Sequence, residues 1–294
     1  MAALKDIKRK ITAVHKTRQI TKAMNMVAAS KFKAAQTRME NFRHYAVEFM
    51  EVLNRVAAQV DAESHPLLAL REPKRLQVIC MTSDRGLCGG FNNNVIKATE
   101  RFMKTKVDEG SKVSLIPIGR KARDFFRKKA SVLHARADVF GKFDMSLAVQ
   151  ISGDLIAPFI ADQYDELYLI YNEFINVAVH RPTVVRLFPM PAIGSSQDAD
   201  RGKRFDYIFE PSADALLEKL LPMYLHILIF RALVETSAGE NGARMAAMDN
   251  ATRNCEEMIE PDAQVQQGET IGDYRRADGY RGGDRGADQG MTAS

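Results

Sequence analysis

The stretch of this chain best placed to do chemistry is SDRGLCGGFNNN, residues 83–94. It follows a β-rich apolar run and precedes a helical one, the setting in which backbone amides at a helix start bind phosphate. It lacks the Lys and Ser/Thr of a P-loop, and its glycines lack the spacing of a dinucleotide fingerprint. Gly86, Gly89 and Gly90 therefore read first as a tight crossover turn. The six histidines (His15, His44, His65, His134, His180 and His226) are scattered. None pairs with another His, a Cys or a carboxylate at metal-ligand spacing. No Ser–His–Asp or Cys–His arrangement declares itself, and Asp84 and Glu240 read as cap or surface carboxylates. The residues point to no catalytic, metal or cofactor site.

Composition narrows the class. A chain of 294 residues with 46% hydrophobic content can bury a sizeable core. Its longest apolar stretch, LLPMYLHILIF at 220–230, is too short to span a bilayer. The N-terminus is basic and amphipathic, without the apolar core and cleavage site of a secretory signal. A transit peptide is disfavoured because the helical pattern runs past residue 55 unbroken. Cys80, Cys88 and Cys255 show no paired spacing, which fits free thiols in a reducing compartment. Net charge is +5, and residues 1–43 hold eleven Lys or Arg against Asp6 and Glu40. Such a face suits solvent, nucleic acid, an anionic membrane or an acidic protein.

The elements that would position these residues follow from periodicity. Residues 3–57 contain neither Gly nor Pro. A 4,3 spacing from Leu4 runs through Ile7, Ile11, Val14, Arg18, Thr21, Asn25, Ala28, Phe32 and onward to Val56, and is apolar except at Arg18, Thr21 and Asn25. That is a coiled-coil seam on a helix of roughly 80 Å, too long for one core to cover. At its polar gap the apolar positions slip to Ile20, Met24 and Val27, which signals either a change of packing face or a change of partner. Strands are expected at 76–84, 113–119 and in ELYLIYNEFIN and TVVRLFPM, with a short one at Phe205–Phe209. Helices are expected over 95–107, 121–129 and 146–163. Ser212 is the expected N-cap of a final helix that Pro222 kinks or splits. The fold class is α/β: a long antiparallel coiled coil of the N- and C-terminal helices with an inserted Rossmann-like α/β domain. The expected divisions are 1–60, 61–210, 211–259 and 260–294.

Three stretches, ITKAMNMVAASKFKAAQ (20–36), SDRGLCGGFNNNV (83–95) and ARMAAMDNATRN (243–254), resemble the gamma subunit of the F-type rotary ATP synthase. They stand in that family's order, and the resemblance covers about residues 1–259. It implies a non-catalytic rotor subunit with no cofactor, whose terminal helices form an axle inside a ring of alpha and beta subunits. It also implies that the α/β domain meets the epsilon subunit and the membrane c-ring. Such a subunit is peripheral to the bacterial inner membrane on its cytoplasmic face, reaches the membrane only through partners, and binds no nucleic acid. Residue matching carries Arg18, Thr21, Met24, Asn25 and Arg244 over as partner contacts. A nucleic-acid-binding coiled coil and a nucleotide-binding enzyme using Gly86–Gly90 are competing classes, and neither accounts for three motifs in order.

The last residues depart from the family. Residues 260–294 carry seven glycines and dense mixed charge, a composition that suits disorder. The family instead continues with a helix resembling LTLxFNKARQAxITxELxEIV. Reading across the codon junctions from Glu260 permits Asn, Leu, Thr, Leu, Arg, Phe, Asn, Lys, Ala, Arg and Gln in turn, in step with that helix. The expectation is a C-terminal helix read in the wrong frame, leaving the first helix short of its partner and the subunit defective in coupling.

Overall fold

A computed structural model of the chain describes residues 2–57, 65–190, 210 and 212–281, with the side chains of 5–57, 65–190, 210 and 212–259. In chain order it contains α1 (Ala2–Ala57), β1 (Arg75–Met81), α2 (Phe91–Asp108), β2 (Lys112–Ile118), α3 (Arg120–Phe126), α4 (Met145–Ile160), β3 (Glu166–Phe174), β4 (His180–Phe188) and α5 (Ala213–Arg281). The strand expected at Phe205–Phe209, the boundary at 60/61 and the end of the tail, 282–294, lie outside the described residues. Contacts divide the chain into two compact units, Met1–Asn25 with Met248–Ser294, and Met26–Ala247.

The larger unit holds a four-stranded mixed sheet in the order β2-β1-β3-β4. β1 pairs parallel with β2 (Val78 with Leu115) and with β3 (Val78 with Tyr168). β4 returns antiparallel to β3. The α/β expectation is met in this sheet. β1 is apolar and buried from Val78 to Met81 because helices cover both its faces there. Val78 and Cys80 point to one cluster with Leu115, Ile170, Val95 and Ile96, closed by α2 and α3. Ile79 and Met81 point the other way, into a larger cluster with Ile116, Ile118 and Leu169. That second face is covered by α4 (Ile151, Leu155, Phe159), the end of α1 (Phe49, Leu53, Val56) and the start of α5 (Leu217, Leu221, Leu225). Thus the terminal helices are walls of the α/β core.

The 4,3 spacing of α1 matches its inward face. Ile7, Ile11, Val14, Arg18, Thr21, Ala28, Phe32, Met39 and Phe42 are all partly or fully buried. In the larger unit Phe42 packs edge-on against Phe230 at 4.8 Å, and an added Cβ on Gly242 would meet Phe32 at 3.5 Å. Partner numbers fall as α1 numbers rise, so α1 and α5 run antiparallel there. Ser212 caps α5 as expected, accepting from the Ala215 amide at 3.2 Å. Pro222 neither splits nor ends α5, which runs unbroken past it.

The residues from Glu260, expected to form an aberrant tail, begin within α5. α5 continues as helix to Arg281. Pro261, Gly268 and Gly272 each weaken a helix, and α5 extends past them as the continuation of an established one.

Two details lock the sheet edges. Gly119 ends β2 with φ +95°, and a side chain there would collide with the Thr82 carbonyl. Gly119→Ala should cost at least about 2 kcal/mol, read as a drop in the urea midpoint of the full chain. Asp165 accepts from the Lys74 and Arg75 amides (3.2 and 2.7 Å) and pairs with the Arg75 guanidinium at 2.7 Å. Burial pushes its pKa up, but the Arg75 and amide bonds outweigh burial and hold the carboxyl below its ordinary value. A depressed folded pKa gives stability that is present above about pH 4 and lost as pH falls through the folded value. Asp165→Asn should therefore lower stability at neutral pH and flatten the acid limb below about pH 4, measured by urea unfolding across that range.

Candidate functional site

The glycine-rich segment lies between β1 and α2. Thr82–Gly90 makes its reversal through two left-handed residues, Leu87 (φ 60°) and Gly89 (φ 55°). Asn92, in the first turn of α2, organises it. Its carbonyl oxygen accepts from the Ser83 amide at 2.9 Å, and its amide nitrogen donates to the Arg85 carbonyl at 3.2 Å. Asn92 is 7% exposed. Nothing in sequence reasoning singled it out, although an Asn run opening a helix next to glycines is a turn signal. Asp84 accepts from the amides of Arg120 (2.9 Å), Asp138 (2.8 Å) and Phe140 (3.0 Å). It therefore ties the loop to the start of α3 and to the segment after it. The turn reading of the segment fits this geometry, in which its polar side chains engage the chain itself. Among the described residues no cluster of three or more His, Cys, Asp or Glu could hold a metal ion.

Glu240 is not the surface or cap carboxylate expected. It is 5% exposed and pairs with Arg244 at 2.6 Å, one turn along α5. The reason is that this face of α5 turns towards the loop. The Arg244 guanidinium also donates to the Gly86 carbonyl, at 3.3 Å from Nε and 3.1 Å from Nη2. The residue is 9% exposed. The pair forms part of the wall of an open cleft of about 1300 Å³ that Asp84 and Arg85 also line. Cys88 lies beside it. Burial pushes that thiol's pKa up, while the Arg244 charge pulls it down.

In the smaller unit, Arg18 and Thr21 face α5. Arg18 Nε donates to Glu256 at 2.8 Å, and the Thr21 and Thr252 hydroxyls lie 2.8 Å apart. Thr21 is 7% exposed. Within this chain the packing face of α1 does not shift to Ile20, Met24 and Val27. Ile20 and Val27 are 60% and 58% exposed, while Met24 and Asn25 are half-buried. The physical reason is polar matching, because α5 presents Thr252 and Glu256 where α1 presents Thr21 and Arg18. The structure thus brings Arg18 and Thr21 together with α5, and places Arg244 at the glycine-rich loop.

A family model described as ATP synthase matches residues 3–263. The chain is 64% identical over 259 residues to an ATP synthase gamma chain of Syntrophus aciditrophicus, covering 88% of this chain and 89% of the relative. It is 45% identical over 262 residues to that of Syntrophobacter fumaroxidans, with the same coverage. Among solved structures it is similar to a chain of the Tetrahymena thermophila mitochondrial ATP synthase central stalk and c-ring. The TM-score is 0.60 and identity 26%, over 79% of this chain and 99% of that one. With this sheet, these paired terminal helices and relatives matched over most of their length, the chain belongs to the gamma-chain family of the ATP synthase.

Proposed function

We propose that this chain is the central rotor of a proton-translocating ATP synthase, turning with the membrane c-ring and driving the catalytic beta subunits through distinct conformers. The observation that carries this is the antiparallel pairing of α1 and α5, seen in each unit, in a member of the gamma-chain family. Two long helices paired in opposite directions support the reading of an antiparallel coiled coil, which would resist twisting. An asymmetric shaft in a ring of like subunits offers each a different contact surface, and differential contact shifts each subunit's equilibrium. The subunit contributes no catalytic group of its own in this reading. It needs no cofactor, and it sits at the membrane periphery, on the cytoplasmic face, through its partners. No helix among the described residues is long and apolar enough to cross a membrane, which suits attachment by contact.

The partners in this reading are the alpha and beta subunits around the helices, with epsilon and the c-ring against the α/β domain. Arg18, Thr21, Met24 and Asn25 mark the level at which the ring meets α1. Exposed Ile20 offers the ring an apolar contact while Arg18 and Thr21 hold the helix pair. Arg244 is carried over to the same contact zone by family matching. The alternative of a frameshifted, coupling-defective form is not favoured by the comparisons, which support the gamma chain itself.

The basic first helix supplies the test. Lys8, Lys10 and Lys22 are exposed and would steer α1 into acidic surfaces of the ring. Reversing all three to Glu should weaken binding to the alpha–beta ring by about tenfold at low salt, since exposed charge contacts contribute a few tenths of a kcal/mol each. Coupled ATP synthesis in vesicles should fall with it, and the difference should shrink as salt is added. Unchanged affinity and synthesis would remove the steering role. Failure of the unaltered chain to restore ATP-driven proton pumping to a ring and c-ring lacking this subunit would remove the rotor reading itself.

A further inference from the structure

We infer that Arg244 is a positioning residue that fastens the Ser83–Gly90 loop to α5, so that the sheet and the long helix turn as one body. The inference rests on the rotor reading for its purpose, but its geometry stands alone.

Among the described residues the large apolar cluster joins α5 to the sheet over Ala213–Val234. Beyond that the contacts change character. Gly239 lets Phe91 approach so closely that an added Cβ would stand 2.8 Å from its ring. Five residues further, Arg244 reaches the Gly86 carbonyl with two nitrogens and Glu240 with one of them. A planar guanidinium can serve both acceptors at once, and a Lys ammonium on a flexible stem cannot hold that fork. Glu240 neutralises the buried charge, which would otherwise be costly. Two residues before Gly86, Asp84 holds the amides of Arg120, Asp138 and Phe140. The loop is thus gripped from both sides, by α5 at Gly86 and by the β2–α4 connection through Asp84. Torque on the sheet then reaches α5 through a directional polar contact past the end of the apolar cluster.

The test is amide hydrogen exchange of residues 83–91 in the full chain, followed by ATP-driven proton pumping in the reconstituted complex. In Arg244→Lys, exchange across the loop should rise at least about tenfold, because one charged hydrogen-bond set is lost. Arg244→Ala strands the Glu240 carboxylate. If that variant does not fold, the pair variant Arg244→Leu with Glu240→Leu decides, since no lone charge remains. It should show the same faster exchange, with the sheet amides of β1 and β3 still protected, and a lower ratio of protons pumped to ATP hydrolysed. Loop exchange unchanged in both Arg244→Lys and the pair variant overturns the inference. Unchanged exchange with impaired pumping would assign Arg244 to direct contact with the ring instead. A chain that never assembles with the ring would defeat the rotor reading, whereas the exchange rates of the full chain judge the latch separately.

Discussion

An open sheet has two apolar faces, and this chain covers one of them partly with its own ends. The face bearing Ile79, Met81, Ile116, Ile118 and Leu169 is closed by α4 together with Phe49, Leu53 and Val56 of α1 and Leu217, Leu221 and Leu225 of α5. Each such side chain contributes about 1.5–3 kcal/mol by leaving water. Several of them at one junction make the sheet and the helix bases inseparable without unfolding the core. The bases of α1 and α5 cannot slide over the sheet, because they share its hydrophobic core. The other face, closed by α2 and α3, is self-sufficient and could belong to any α/β protein.

The helix pair has a different chemistry in each unit. Apolar contacts such as Phe42–Phe230 give way in the smaller unit to Thr21–Thr252 and Arg18–Glu256. A polar layer in a helix pair costs stability but pins register, because a shifted helix would bury a hydroxyl or charge against an apolar neighbour. Arg18 and Glu256 remain partly exposed, with 38% and 48% of their side chains accessible, so their ion pair is worth little by itself. Its value is directional. The same arrangement leaves Ile20 on the outer side of the helix, available to something other than α5.

The glycine-rich loop shows how a familiar pattern can mislead. Its position after a strand and before a helix is that of a phosphate loop. Its side chains are instead engaged in bracing: Asp84 on three amides, Asn92 on Ser83 and Arg85. The absence of a P-loop Lys and Ser/Thr already argued against nucleotide in the sequence. What the loop does hold depends on Arg244, 158 residues away in the chain, and no local pattern could announce that. The burial of Glu240 is hidden from the sequence for the same reason. A Glu in an exposed-looking helical stretch is indistinguishable from a buried one until its neighbour across the fold is known.

By itself the sequence determined the periodic features. The 4,3 spacing of α1 specified its inward face, including polar Arg18 and Thr21, and the β-rich runs specified the strands, because both periods are properties of a single segment. The three motifs, in order, carried the family. Only the tertiary structure decided which residues answer one another across the fold: that Arg18 and Thr21 meet Glu256 and Thr252, that Arg244 is buried against the Gly86 carbonyl with Glu240 as its ion-pair partner, and that both terminal helices enter the sheet's core. Those outcomes depend on partners remote in the chain, whose approach is set by packing of the whole and is not encoded in the spacing of any one segment.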